Sequence, residues 1–275
     1  MFGDPGIIAA VIVVGVALVS SWRTQRIAIA ALQAAQHGPM TERWIGAVKL
    51  LGSTAGSSGQ SSVEVRLGAV YSIEQIAKES SVYRAPALEM LAAFLREHAQ
   101  IGRTGLEPTT DIQAVLTVLG RSGHEGLDLR RAVLWGADLE GTELVGANLF
   151  QARLRGARLV GARMQRARLE GADLSGADLS GADLRCANLV GADLSAAKLH
   201  GTDLRGADLS GVTLRDADLR GASLVGATFG DADLTAAALD GVDLTCADPK
   251  PRPASRKRFW LPRFGRPATA SSASR

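Results

Sequence analysis

The side chains best suited to chemistry are few and scattered. Four histidines, His37, His98, His124 and His200, fall in different segments without metal-ligand spacing, and neither Cys186 nor Cys246 has a ligating or catalytic partner nearby. Gly-x-Ser-x-Gly and Gly-x4-Gly-Lys signatures are absent, so the chain holds neither an activated serine nor a phosphate cradle. No enzymatic activity, cofactor or metal is expected. What the chain has in quantity is aspartate recurring every five residues, as at Asp173, Asp178 and Asp183. Stacked Asp suggests calcium, but calcium-binding β-rolls use a double-glycine nonapeptide that this chain lacks. The better reading is that each Asp points outward and bonds the N–H groups of a turn. Four consecutive positions of the series carry Arg instead, Arg153, Arg158, Arg163 and Arg168. Such a block can form ion pairs within the protein or meet an anionic partner.

The element that positions these charges follows from the period. From Leu129 to Leu244 every fifth residue is apolar, and it is Leu at 22 of 24 positions, with Met164 and Phe229 the exceptions. Five steps on an α-helix advance a side chain by about 140°, so these residues would spiral around the axis. On a straight strand they would alternate between faces. A backbone that turns a corner in every unit can aim them all at one interior, so the chain must wind into a coil. The residue two before each centre is small, as in Ala132, Ala137 and Ala147, and glycine such as Gly136 or Gly141 follows the outward pair, which suits a tight turn.

The run "GADLSGADLSGADL" over residues 171–184 resembles the pentapeptide-repeat family, and the resemblance covers about 120 residues. It implies a mainly β fold, a right-handed quadrilateral parallel β-helix with four repeats per coil. Six coils at about 4.8 Å spacing give a rod on the order of 29 Å long. Leu139, Leu149, Leu174, Leu179, Leu184, Leu194, Leu209 and Leu219 are the expected structural core. Cys186 and Cys246, three coils apart at about 14 Å, are too far apart for a disulfide, which fits a reducing compartment. The four belt arginines fall one on each face. Asp173, Asp178, Asp183 and Asn188 lie one coil beyond them, and Asp138 and Glu143 lie under Arg158 and Arg163. Inter-coil ion pairs are the expected structural role, at about 0.2–1 kcal/mol each; a belt for an anionic partner is the functional alternative. Some members of the family resemble B-form DNA and bind type II topoisomerases, which needs an extended acidic surface. Here residues 127–247 carry 17 acids against 13 bases, and Gln151 to Arg168 holds six Arg and no acid.

Three further segments flank the rod. Between Asp4 and Arg23 lie 18 uncharged residues, with a continuous apolar run from Ile7 to Val19, enough for a helix of about 27 Å. Pro5 suits its start, Trp22 an interface, and Arg23 and Arg26 the cytoplasmic side. A cleaved signal peptide or a buried core helix are the alternatives, but no basic residue precedes the apolar run. Residues 1–26 are thus read as a transmembrane anchor with its N-terminus outside. Residues 27–126 are read as a small α-helical bundle, interrupted by the flexible stretch 52–62. Ser61-x-x-Glu64 and Thr110-x-x-Gln113 read as capping boxes. Val65, Ala69, Ile73 and Ile76 line one helix; Met90, Leu91, Phe94 and Leu95 a second; Ile112, Val115, Leu116 and Leu119 a third; and Thr41 to Leu51 adds another. "VEVRLGAVYSIEQIAKES" (63–80) resembles a helix of a HEAT-type repeat. The bundle would cap the first coil, or bind a partner of its own.

The net charge of +3 resides at the other end, since residues 249–275 hold eight Lys/Arg and no acid, leaving −5 for the rest. Residues 248–275 are too polar and proline-rich to fold alone. Arg256, Lys257, Arg258, Phe259, Trp260, Arg263 and Phe264 combine cations with aromatic rings, which suits an anionic lipid surface. A solubilising end and nucleic-acid contact are the other readings of this tail. Together these features predict a single-pass protein of the cell membrane whose bulk is cytoplasmic, a non-catalytic scaffold presenting a rigid rod to an unidentified protein partner. The competing class is a DNA-mimicking regulator or protector of a topoisomerase-type enzyme; direct nucleic-acid binding is not expected, and the oligomeric state is left open.

Overall fold

The computed structural model describes residues 38–52, 61–99, 108–245 and 247–248. The predicted membrane segment, most of the 52–62 stretch, the Ser61 side chain of the first capping box, Cys246 and the basic tail lie outside the described residues. Among the described residues no helix is long and apolar enough to cross a membrane.

Four helices precede the coil: α1 (Gly38–Leu51), α2 (Ser61–Glu79), α3 (Ser81–His98) and α4 (Thr110–Arg121). Each buries one apolar stripe. Trp44, Ala47 and Leu51 of α1 meet Ala69, Val70, Ile73 and Ile76 of α2, Leu91 and Leu95 of α3, and Ile112, Val115, Leu116 and Leu119 of α4 in one continuous core. Met90 is only partly buried. Polar contacts fix the helix pairs: Arg43 with Glu79 at 2.6 Å, Arg121 with Glu74 at 2.7 Å, and Arg66 with the buried Asp111 at 2.6 Å. The second capping box does not form. Thr109, not Thr110, is the N-cap, and it makes no side-chain cap bond. Its hydroxyl donates to the Asp111 carboxylate at 2.6 Å instead.

Gln113 is withdrawn from the box because it has another task. Its side-chain amide donates to the Asp138 carbonyl at 2.7 Å, and its side-chain oxygen accepts the Asp138 N–H at 3.1 Å. The Gly120 carbonyl accepts the Glu143 N–H at 2.7 Å, and Arg96 donates to the Asp128 carbonyl. These are backbone groups of the first coil that have no earlier coil to pair with, so α3 and α4 supply the partners that an open sheet edge lacks. Gly120 lies so near Thr142 that an added Cβ would fall 2.8 Å from the Thr142 Cβ.

The coil itself is defined by parallel bridges between residues 20 apart, from Asp128 with Asn148 to Thr228 with Asp248. Twenty residues are four five-residue sides, and the bridged span holds six such turns. Only one residue per side makes a bridge. The described residues therefore contain isolated bridges rather than extended strands, because each side has about three residues before the chain must turn again. Inside, Leu and Ala alternate to fill the rod: Leu139, Leu149, Leu174, Leu179, Leu184, Leu194, Leu209 and Leu219 are each 0–1% exposed, and Met164 is 0%. At the far end Leu234, Leu239 and Leu244 are only partly buried. The second turn residue takes a left-handed conformation, which costs glycine little, as at Gly176 (φ 65). Arg166, Cys186 and Ala196 adopt it at φ 58, 57 and 55 at about 1 kcal/mol each. In the Phe229 unit the positive φ moves to Gly230 (φ 42).

Gly120→Ala should drive α4 off the first coil and cost about 1–3 kcal/mol, seen as a lower thermal midpoint, with helix lost before the coil. The Asp111 carboxyl is pushed up by burial but held lower overall by the Thr109 hydroxyl and the Arg66 guanidinium. Because its folded pKa is depressed, its stabilisation is present above the unfolded value of about 4 and is lost as pH falls through the folded one. Helical circular dichroism should hold at pH 5 and fall below about pH 4. Asp111→Asn should weaken the helices by about 2 kcal/mol at neutral pH and flatten that acid dependence, a smaller cost than for a fully dry pair because Arg66 keeps some water.

Candidate interaction surface of the rod

The outer surface is written by one backbone requirement. In the unit Ala172 to Gly176, the Ala172 N–H bonds Leu169 at 3.0 Å, Asp173 bonds Ala152 at 2.9 Å, Leu174 bonds Asp193 at 2.7 Å, and Gly176 bonds Ser195 at 2.8 Å. The one N–H left, that of Ser175, donates to the Asp173 carboxylate at 3.0 Å. All five N–H groups are thus paired, the last by the Asp side chain. The same bond recurs at Asp178, Asp183, Asn188, Asp193, Asp203, Asp208, Asp218, Asp233 and Asp243. Where Arg stands two residues after Asp it closes on the same carboxylate, as Arg185 does on Asp183 and Arg205 on Asp203, both at 2.6 Å. Side-chain hydrogen bonds from Arg185, Arg205 and Ser210 hold the Asp183, Asp203 and Asp208 carboxyls below their ordinary value. Hydrogen bonds from the Arg220 side chain and N–H hold Asp218 down to about 2, and the Thr235 hydroxyl, followed by Arg215, holds Asp233 down to about 2.

That local use of Asp overturns the expected inter-coil pairs. Arg153, Arg158 and Arg163 do bridge Asp173, Asp178 and Asp183 through the backbone, but no ion pair joins their side chains among the described residues. Each Asp is already turned back onto its own turn, and Asp178 also receives Lys198 at 3.3 Å. The arginines look elsewhere: Arg158 pairs with Glu140, Arg163 with Glu143 at 2.8 Å, and Arg168 with Glu170 at 3.2 Å. Glu143 is the neighbour that the repeat register places under Arg163; Glu140 was not foreseen. The sequence signals that identify the local pairs are Asp-Leu-Arg triplets such as Asp183 to Arg185 and Asp218 to Arg220. Arg153, Arg155 and Arg166 are exposed.

The remaining reactive side chains are dispersed. His98 stacks on Phe94 at 4.2 Å and bonds its carbonyl, and Cys186 is an exposed free thiol on a turn. No group of His, Cys, Asp or Glu among the described residues could hold a metal ion. The tail residues Arg256, Lys257, Arg258, Phe259, Trp260, Arg263 and Phe264 lie outside the described residues, as does His37. Among the described residues the rod offers a solid, filled body with charged side chains on its outer sides.

Comparison with known proteins follows that geometry. Eight copies of the family model described as "Pentapeptide repeats" match between residues 128 and 248. HetL, a pentapeptide repeat protein involved in heterocyst differentiation regulation from the cyanobacterium Nostoc sp. strain PCC 7120, is 34% identical over 44% of this chain and 72% of its own, with a TM-score of 0.29. Rfr23 from the cyanobacterium Cyanothece 51142 is 31% identical over 44% of this chain and 60% of its own, with a TM-score of 0.27. A variant of QnrB1, a plasmid-mediated fluoroquinolone resistance protein, is 25% identical over 45% of this chain and 68% of its own, with a TM-score of 0.27. Comparison with curated proteins gives no match. Through residues 128–248 the chain belongs to the pentapeptide-repeat family.

The Asp bond can be tested in both directions. Asp178→Ala should cost about 1 kcal/mol by orphaning the Ser180 N–H. Arg158→Asn, which supplies the acceptor that Asn148 and Asn188 supply in their own units, should gain a similar amount despite the lost Glu140 pair. Denaturant midpoints of the two variants should move in opposite directions.

Proposed function

We propose that the chain is a non-catalytic, membrane-held scaffold that presents its rod to a protein partner in the cytoplasm. The observation that carries this reading is the rod itself: its interior is filled by Leu and Ala, its first edge is closed by α3 and α4, and many of its outer carboxylates are held by their own turns. A surface so fixed loses little entropy on docking, which favours recognition by preorganisation. The membrane part rests on sequence pattern: an apolar span within residues 1–26, Arg23 and Arg26 on its carboxyl side, and a basic aromatic tail suited to anionic lipid. Regulation of a DNA enzyme by acidic mimicry is the competing reading. The Arg belt interrupts the acidic surface which that role requires.

In membranes bearing the full chain, cross-linking should join a protein partner through residues 127–247, and deleting them should abolish the product. An unchanged product would sink the scaffold reading. Reporter fusions after Gly38 and after Asp248 should both read as cytoplasmic, and activity on the other side from either would overturn the topology.

A further inference from the structure

The Arg belt works against the fold that carries it. At Arg153, Arg158, Arg163 and Arg168 the side chain cannot accept the N–H two residues on, so those of Arg155, Val160, Gln165 and Glu170 have no protein acceptor among the described residues. Similar gaps occur elsewhere singly, as after Val133 and Lys198, or as a pair, after Ser223 and Thr228, but only here do they run through a whole coil. Ion pairing does not offset this, since Arg158, Arg163 and Arg168 make exposed pairs worth little and Arg153, Arg155 and Arg166 make none among the described residues. Arg166 adds left-handed strain at φ 58. A coil that forgoes hydrogen bonds to hold six uncompensated or weakly paired cations is placed for something outside itself.

Resting on the scaffold reading above, we propose that Arg153 and Arg155 form the docking surface for an acidic segment of the protein partner, one with carboxylates at alternate residues in an extended conformation. Arg153 stands on one side of the second coil and Arg155 at the first position of the turn that ends that side, both exposed, with no acidic residue between Gln151 and Arg168. Carboxylates two apart on an extended chain repeat at about 6.6–7 Å, a spacing that two long, flexible arginine side chains at neighbouring side and turn positions can meet together, so an Asp-x-Asp or Glu-x-Glu strand laid here can engage both guanidinium groups. Height selects against larger anions. The belt is one coil high, about 4.8 Å, and the coils beyond it are acidic, with 13 Asp/Glu against five Lys/Arg in residues 169–247. A duplex or a bilayer lying against the rod would meet those carboxylates as well as the belt, whereas a single polypeptide strand meets the belt alone.

The test uses the full chain in zwitterionic detergent and a short fluorescent peptide alternating glutamate and threonine. R153N/R155S combines the acceptor that Asn148 and Asn188 supply with the turn serine of units such as Asp173 to Ser175 and restores the missing acceptor, so it should fold at least as well by thermal melting. Its affinity for the peptide should fall at least tenfold, while its binding of duplex DNA and of anionic phospholipid vesicles stays as in the parent. Arg155→Ser alone, which changes only an exposed turn residue, should give a smaller loss in the same direction and guards against any effect of the double change on folding. Undiminished peptide binding in both variants, or a loss confined to DNA or vesicles, overturns the proposal. If R153N/R155S still yields the cross-linked partner that deletion of 127–247 removes, the belt assignment fails and the scaffold reading stands.

Discussion

A five-residue side leaves one backbone N–H without a backbone acceptor, and most of the rod's chemistry derives from that remainder. Coil-to-coil and within-turn bonds take four of the five donors, as in the unit from Ala172 to Gly176. The fifth is met by Asp or Asn one position before the core Leu. The abundance of Asp therefore serves hydrogen bonding within the turns. With the carboxylate engaged in its own turn, a cation reaches it from two residues along, as Arg185 does on Asp183, or from the neighbouring coil, as Lys198 does on Asp178 and Arg215 on Asp233. The same bond thus stabilises the rod and sets where its charges lie, many of the Asp closing on Arg, Ser or Thr two residues along.

The requirement reappears at the ends. A coil has no neighbour above its first turn, so its edge groups must be paired by something else or hydrated. The helices do this with one amide side chain, one guanidinium and one helix-terminal carbonyl: Gln113, Arg96 and Gly120. The glycine permits the approach, since α4 could not otherwise lie against Thr142. Helical bundle and rod share one apolar core, so the bundle is fixed to the rod and can transmit the position of whatever holds it. The buried Arg66–Asp111 pair ties α2 to the helix that makes these edge bonds.

The belt is the exception that gives the surface a direction. Residues 127–168 hold eight Lys/Arg and four Asp/Glu, the coils beyond the reverse imbalance, so the rod has a basic neck and an acidic shaft. A polyanion long enough to follow the shaft is repelled by it, and a compact acidic element is not. This asymmetry distinguishes the rod from one with an extended, uniformly acidic surface.

How much was legible beforehand divides along the range of the interactions. Period five, the small residue two before each Leu and the turn glycines specify a four-sided coil without reference to anything distant, because each unit contacts only its neighbours in the chain and one coil away. The apolar stripes of the helices were equally legible, being local periodicities. What sequence could not assign was competition among equivalent partners. Arg158 had Asp138, Glu140 and Asp178 within reach, and only the geometry of the turn, which draws Asp inward to its own N–H, sends it to Glu140. Gln113 read as a capping residue because Thr110 precedes it by three. Tertiary structure gave it to the rod instead, since an unpaired sheet edge costs more than an uncapped helix end that water can reach. The sequence by itself determined the coil and its inventory of charges; which charges meet, and what closes the edge, only the folded chain decided.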